Sequence, residues 1–306
     1  MLIQERMRKE KFSEAQKAVI DFLLKDPAAA RELTVRQIAR ACYTSSATLI
    51  RVAQKLGYGG WDEFKKDFIR EQEYLAFSFS DVNPNIPFSS KDSLRSIAHK
   101  IAELKMEAVQ DTLHLLDIDE LKKAAAILQK AQVVNIIGSN NTRLLGDLFA
   151  LKLGRIHKLA LCHEIRGEIL YNGLLMRPDS CTVVISYSGE TDAILDTLQQ
   201  ARDAGRPIIA LTSVSINSIA KMADVSLRFC TREKMYSKIN WYTTEAGIEY
   251  LLDLLYSALF WKDYDRNLDL RLSIARQIEH DRKASAEIMN EDPQDEKNAE
   301  SAQTCV

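Results

Sequence analysis

Hydroxyl side chains surround a glycine directly after an apolar run. Val183–Ser186 is typical of a buried strand, and Tyr187–Thr191 follows it as a turn that opens a helix. Phosphate is bound by backbone N–H groups at a helix N-terminus, where a glycine allows close approach and hydroxyls donate without adding charge. The segment predicts a phosphate site. A plain turn capped by Ser188 or Thr191 is the alternative.

A second candidate site is basic. From Leu33 to Trp61 the chain has four basic residues and no acidic one, although its formal net charge is −2. The four are Arg36, Arg40, Arg51 and Lys55. A local basic surface within a nearly neutral protein favours a polyanion as partner.

The same segment has the pattern of a helix-turn-helix. The positions where two steeply crossing helices pack are all apolar: Ile38, Ala39, Cys42, Leu49 and Val52. The turn position that usually holds glycine is Tyr43, which can occupy it with some strain. The helix that starts at Ser45 or Ser46 is then expected to enter the major groove.

The residues predicted to contact DNA are Arg36, Ser45, Ser46, Thr48, Arg51 and Lys55. The alternative is that Ser45 or Ser46 is simply an N-cap and the basic residues form a solvated face.

The elements that position these residues differ between the two halves. Four helices are predicted before residue 77, with start or face residues at Ser13, Thr34, Ser45 or Ser46, and Trp61. A helical stretch from Lys91 to Ala131, broken near Leu116 to Asp119, follows. Strand-like runs then alternate with helical segments: Val133–Ile137, Thr182–Ser186, Pro207–Thr212 and Val225–Phe229. This alternation predicts a parallel sheet covered by helices on both faces.

These elements predict an all-α helix-turn-helix domain followed by an α/β domain. The proline-containing stretch between them has no helical period. Expected boundaries are 1–76 for the DNA-binding domain, 77–90 for a linker, 91–288 for the α/β domain and its flanking helices, and 289–306 for an acidic, disordered tail. The last helical patterns are Thr243–Lys262 and Asp265–Ile288.

Composition restricts the class of protein. Apolar residues make up 46% and charged residues 27%, which is typical of a globular protein. A membrane span and a signal peptide are not indicated, so we expect a cytoplasmic protein. The five cysteines include no CxxC pair, which favours reduced thiols and no zinc site.

The segment Ile38–Lys65 resembles the N-terminal domain of RpiR-type regulators. The family's Ser-x-Ala-Thr-x-x-Arg, Lys-Leu-Gly-aromatic and Gly-aromatic-x-x-Phe-Lys motifs have counterparts at Ser45–Arg51, Lys55–Tyr58 and Gly60–Lys65. The run Ser186–Thr191 is similar to the Ser-x-Ser-Gly-x-Thr motif of the SIS, or sugar isomerase, domain. This resemblance extends over roughly Val133 to Phe229.

The SIS resemblance implies which residues hold a phosphosugar. Ser186, Ser188 and Thr191 are expected to bind the phosphate and neighbouring hydroxyls, and Gly189 to let the backbone close on them. The family's first loop, Gly-x-Gly-x-Ser, reads Gly138-Ser139-Asn140-Asn141-Thr142 here. Asn140 and Thr142 replace the usual glycine and serine, and Ser139 and Thr142 are both candidates that spacing does not separate.

The resemblance implies a transcriptional regulator of carbohydrate-metabolism genes, whose operator binding responds to a phosphorylated sugar. A homodimer or homotetramer is expected because one helix-turn-helix reads one half-site. No cofactor, metal or catalytic residue is expected. The main alternative is a sugar-phosphate isomerase or related enzyme. Candidate bases for it are His157, His163, Glu164, Glu168, Glu190 and Glu245.

Overall fold

The computed structural model describes residues 2–76, 82–163, 177–279, 282, 284–286 and 290, with side chains in the sixth helix as far as residue 72. Its helices are α1 (Ile3–Lys9), α2 (Glu14–Lys25), α3 (Ala29–Glu32), α4 (Val35–Ala41), α5 (Ser46–Lys55), α6 (Trp61–Ala76), α7 (Leu94–Leu115), α8 (Ile118–Lys130), α9 (Asn141–Gly154), α10 (Asp192–Asp203), α11 (Ser218–Met222), α12 (Tyr242–Lys262) and α13 (Tyr264–Glu279). Its strands are β1 (Val133–Ile137), β2 (Leu159–His163), β3 (Ser180–Ser186), β4 (Ile208–Thr212) and β5 (Val225–Arg228).

Helices α1 to α6 form one cluster, which we call the head. Its apolar core includes Leu23, Ile38, Leu49, Phe64 and Phe68, each fully buried. The first helix is fixed by a buried carboxylate rather than by apolar contacts alone. Glu71 on α6 accepts the backbone N–H of Ile3 at 2.6 Å and that of Gln4 at 3.0 Å, so it satisfies two donors that a helix N-terminus leaves open.

The helix-turn-helix forms as the apolar pattern predicts. Ile38, Ala39, Cys42, Leu49 and Val52 are all buried. Local sequence sets the ends of both helices. Thr34 caps α4 by accepting the N–H of Gln37. After α5 the chain reverses at Gly57, whose φ of +87° suits a residue without a Cβ.

The second half contains a five-stranded parallel sheet in the order β2-β1-β3-β4-β5. Strands β1, β3 and β4 are buried at every residue, as expected for strands covered on both faces. One side packs on residues of α8, α9 and α12, and the other on α10 and α11. The predicted fold class is confirmed.

Strand β2 was not predicted. Leu159–His163 lies at the sheet edge, and its side chains are mostly exposed or half-buried. Its apolar run, Leu159–Cys162, is only four residues long, and periodicity does not distinguish so short a run from part of a helix. The short helices α1, α3 and α11 were also missed, since four to seven residues give too few turns for a helical period.

Helices α7 and α12 pack against each other and α12 covers the sheet. In the predicted linker, Asn85 is bound to the second half. Its carbonyl accepts the N–H of Ile239 at 2.8 Å, and its side chain accepts that of Lys234 at 2.6 Å.

Two compact units divide the chain at Asp263. The head and the sheet belong to the first. The second contains α13, which ends at Glu279, short of the predicted end at Ile288. Of the predicted acidic tail, residues 289–306, all but Asn290 lie outside the described residues. Among the described residues, no helix is both long and apolar enough to cross a membrane.

Candidate functional site

The start of α5 is open to solvent, as a DNA-reading helix requires. Ser45 is the N-cap residue and is exposed, Ser46 is half-buried, and Arg51 is exposed one turn further on. Arg36 is exposed on α4. This end of α5 therefore presents hydroxyls and a cation outward, on the first turns that enter the major groove in helix-turn-helix proteins.

Three of the predicted DNA contacts, Ser45, Thr48 and Lys55, have partners inside the head. Thr48 is buried, and its hydroxyl lies 2.9 Å from that of Thr44 and 3.1 Å from that of Ser45. Lys55 donates to the carbonyl of Lys11 and lies over the Phe12 ring. Thr48 therefore fixes the turn before α5, and Lys55 has an intramolecular partner that a phosphate would have to replace.

The residue in the helix-turn-helix turn is strained. Tyr43 has a φ of +52° and is 98% exposed, so its side chain gains no burial in return for the left-handed backbone. This is the strain that the missing glycine predicts.

The phosphate loop, Ser186–Thr191, follows β3 at the carboxyl edge of the sheet. Ser186 is buried, and its Oγ accepts the N–H of Gly189 at 3.1 Å. Ser188 is half-buried, and its Oγ accepts the N–H of Glu190 at 3.2 Å. Thr191 is the N-cap residue of α10 and makes no side-chain capping bond within that described helix. Ser186 thus shapes the turn, whereas Ser188 and Thr191 stand nearer to solvent.

The glycine of this loop has no space for a side chain. Gly189 has a φ of +68°, and a Cβ built on it would lie 2.1 Å from Cγ of Asn217. Both the left-handed backbone and the close neighbour require glycine here.

Tyr187 in the same loop faces inward. Its hydroxyl donates to the carbonyl of Glu233, and its ring packs edge-on to Trp241 at 5.1 Å. Burial raises the pKa of this hydroxyl, so it stays protonated and keeps donating. Lys238 lies 3.4 Å above the Trp241 ring, and burial lowers the pKa of its ammonium group.

The first loop, Gly138–Thr142, follows β1. A Cβ at Gly138 would lie 2.9 Å from the backbone N of Arg143, so this glycine is fixed by space. Thr142 Oγ1 accepts the N–H of Ser139 and donates to its carbonyl, both at 2.9 Å. Thr142 therefore closes the loop, while the side chain of Ser139 is exposed.

Asn140 has a φ of +51° and a ψ of −122°, a backbone region that favours glycine. The family's second glycine thus has a conformational reason, which Asn140 meets at a cost. Next to it, Asn141 donates to Glu245 of α12 at 2.7 Å. This pair was not predicted as a unit, because 104 residues separate its members.

Sheet topology brings the two loops together. Strands β1 and β3 are neighbours, with Ile137 opposite Val184, and the chain leaves them in opposite directions along the sheet. In open parallel sheets, ligands bind in the crevice outside the carboxyl ends of the strands at such a switch point. Of the candidate bases, Glu245 borders this crevice through Asn141, and Glu164 and Glu168 lie outside the described residues.

Comparison with known proteins identifies both halves. Residues 1–73 match the model of the helix-turn-helix domain of the rpiR family, and residues 127–246 match that of the SIS domain. The chain thus contains a segment similar to the rpiR-family helix-turn-helix domain, followed by a segment similar to the SIS domain.

Curated relatives are similar in sequence over most of their length. An HTH-type transcriptional regulator of Caldanaerobacter subterraneus is 28% identical over 225 residues, covering 74% of this chain and 78% of that protein. YbbH of Bacillus subtilis, also named an HTH-type transcriptional regulator, is 28% identical over 260 residues, covering 84% of this chain and 89% of that protein.

Solved structures share the fold. The Vibrio vulnificus NanR protein, complexed with ManNAc-6P, superposes with a TM-score of 0.56 at 21% identity, covering 90% of this chain and 97% of that chain. The sugar isomerase domain of an RpiR transcription factor from Sphaerobacter thermophilus gives a TM-score of 0.52 at 19% identity, covering 59% of this chain and 98% of that chain.

Proposed function

We propose that this protein binds operator DNA through the exposed start of α5, and that a phosphorylated sugar bound between the first loop and the phosphate loop modulates this binding. The single observation that carries the proposal is the meeting of two glycine-dependent, hydroxyl-bearing loops at the β1/β3 switch point. A DNA-binding head on the same chain gives that site a regulatory output. Carbohydrate-metabolism genes are the proposed targets.

The geometry distinguishes roles among the predicted ligand residues. Ser188, Thr191 and Ser139 are the proposed direct contacts, because their side chains are half-buried or exposed at the loops. Ser186, Gly189 and Thr142 are proposed to shape the loops, since the two hydroxyls are bonded within them. Phosphate oxygens would accept hydrogen bonds from these hydroxyls and from backbone N–H groups near α10.

The sugar itself would meet a different group. Glu245 accepts from Asn141 beside the first loop, so it lies where it could accept a hydrogen bond from a sugar hydroxyl. We propose that this amide–carboxylate pair binds the sugar hydroxyls, while the two loops bind the phosphate.

At least a dimer is proposed, because one head reads one half-site. Helix α9 carries large apolar side chains that are exposed in the single chain. They are Leu144 at 58%, Leu148 at 39% and Leu151 at 57% exposed. Spaced by four and three residues, they share one helix face, and we propose that this face packs against a second copy of this chain. Sedimentation of the wild-type protein and of Leu148→Glu tests this, with a shift toward monomer expected in the variant.

A thermal-shift screen tests the ligand proposal. The full chain is mixed with phosphorylated hexoses, pentoses and amino sugars, each beside its unphosphorylated form. A true ligand at a hundredfold excess over its Kd should stabilise the protein by about 2.7 kcal/mol. Ser188→Ala should lose this shift, whereas the exposed Ser90→Ala should keep it. Stabilisation by no phosphosugar would contradict the proposal, and turnover of the ligand seen by proton NMR would favour the isomerase alternative.

A further inference from the structure

The segment Ser213–Asn217, between β4 and α11, lies between the phosphate loop and the head. We call it the linking loop. Polar contacts within the loop and with Thr231 hold its shape. The hydroxyls of Ser213 and Ser215 lie 2.8 Å apart, and the N–H of Val214 is bonded to Thr231 Oγ1 at 3.1 Å.

One end of the linking loop packs on the phosphate loop. Asn217 is buried and occupies the space beside Gly189, where an added Cβ would lie 2.1 Å from its Cγ. The N–H of Ile219 donates to the carbonyl of Gly189 at 3.1 Å, and that of Ser218 to the carboxylate of Glu190 at 2.9 Å. A displacement of Gly189 therefore has to move Asn217.

The neighbouring residue touches the head. Ile216 is a half-buried side chain that packs against the head's apolar core, although it belongs to the sheet half of the chain. Together with Val214, it lines a cleft whose other walls include Ile3 and Tyr58 of the head. Adjacent residues of one loop thus contact the phosphate site and the DNA-binding half.

Arg228, the last residue of β5, holds the linking loop through two hydrogen bonds. Its Nη1 donates to the carbonyls of Ser213 at 2.8 Å and Ser215 at 3.1 Å. It lines the same cleft as Asp67 of α6. Burial raises the pKa of Asp67, and the positive charge of Arg228 opposes that rise, because the two charges attract each other across the cleft.

We propose that the linking loop couples the phosphate site to the head, with Asn217 contacting the phosphate loop and Ile216 contacting the head. A phosphosugar that draws Ser188 and Gly189 toward itself would shift Asn217, and this shift would change how the head packs on the sheet domain. A ligand changes that seating only by its differential affinity for the two arrangements. This inference rests on the proposed function for its natural trigger, but the coupling can be tested without any ligand.

A pair of glycine variants supplies the perturbation. Gly189→Ala forces a Cβ into Asn217, whereas Gly205→Ala has the same φ of +68° and no atom within 4 Å of the new Cβ. The two variants share the backbone strain and differ in the clash. Hydrogen exchange of α6 amides, measured by mass spectrometry on the full chain, reports how firmly the head is seated.

We expect α6 to exchange about threefold faster or more in Gly189→Ala than in Gly205→Ala. Adding Ile216→Ala should remove that difference, because the contact with the head is then already lost. Equal α6 exchange in the two glycine variants would overturn the coupling.

The reverse direction provides an independent test in case Gly189→Ala fails to fold. Ile216→Ala should speed exchange in peptides that cover the phosphate loop, because coupling is reciprocal. Ile127→Ala, a half-buried isoleucine on α8 away from the cleft, is the matched control and should leave that loop unchanged. A phosphate loop that is unaffected by Ile216→Ala would also refute the coupling. A negative thermal-shift screen would refute the phosphosugar trigger alone, so the two failures are distinguishable.

Discussion

Asp117 joins the head to the sheet domain, and replacing it should weaken the whole first unit. One carboxylate oxygen lies 3.0 Å from Lys66 Nζ and 3.0 Å from Arg70 Nη2, both on α6 of the head. The other accepts the N–H groups of Asp119 and Glu120 at the start of α8. Asp117→Asn keeps the helix cap, because asparagine caps as well as aspartate, and removes the charge that attracts the two cations.

The expected loss of stability in Asp117→Asn follows from the pKa of Asp117. Burial would raise the pKa of Asp117, but the hydrogen bonds from Lys66 and from the α8 backbone outweigh it and lower the pKa to about 2. A depression of nearly two units corresponds to about 2 kcal/mol. Lys66 is 65% exposed, so solvent screens part of this, and we expect Asp117→Asn to cost about 1–2 kcal/mol at pH 7.

The lowered pKa also determines how the stabilising contribution of Asp117 changes with pH. Because the folded pKa is below the unfolded one, the contribution is complete above about pH 4 and is lost as the pH falls toward 2. Urea unfolding at pH 7 and pH 3 should show the cost of Asp117→Asn falling by about half. Asp119→Asn, an exposed i,i+3 partner of Lys122, is the control and should cost under about 0.5 kcal/mol. Equal costs for the two variants, or a cost for Asp117→Asn that does not change with pH, would refute this reasoning.

Three further substitutions test single features of the head and the first loop. Tyr43→Gly should raise the unfolding free energy by about 1 kcal/mol, because it relieves the φ of +52°; a loss of stability in urea would show that the Tyr43 side chain has an unrecognised contact. Asn140→Gly should also relieve a positive φ, so we expect it to raise the unfolding free energy by about 1 kcal/mol and with it the thermal midpoint; an unchanged midpoint would show that the first loop is unstrained. Arg51→Ala should lower the slope of log affinity against log salt by about 1 on duplex DNA; the wild-type slope would mean that Arg51 contacts no phosphate.

The sequence predicted most of the fold because its local signals agree with one another. The helix starts at Ser13, Thr34 and Ser45 and the apolar helix-turn-helix positions all appear where the pattern places them. Strand β2 was missed because its apolar run of four residues, Leu159–Cys162, is too short to be assigned to a strand by periodicity. Local pattern thus predicts long or capped elements well and short ones poorly.

The candidate site could be predicted loop by loop but not as a whole. Residue types indicated the phosphate loop and the first loop, whereas the partners of each hydroxyl depend on the folded backbone. Thr48 and Ser186 are the clear examples, since both make internal hydrogen bonds that their motif positions do not reveal. The pair Asn141–Glu245 and the packing of Ile216 on the head depend on long-range contacts, for which one sequence carries no local signal.

The proposed function requires two separable sites on one chain, one for DNA and one for a phosphosugar. The most direct measurement selects a binding duplex from a random library with the wild-type chain, then titrates its complexes with the sugar phosphate found by thermal shift. Ser188→Ala should bind the duplex normally and no longer respond to the ligand, whereas Arg51→Ala should bind the duplex weakly and keep its thermal shift. If either variant lost both activities, or if Ser188→Ala responded like the wild type, the two sites would not be separable in the way proposed.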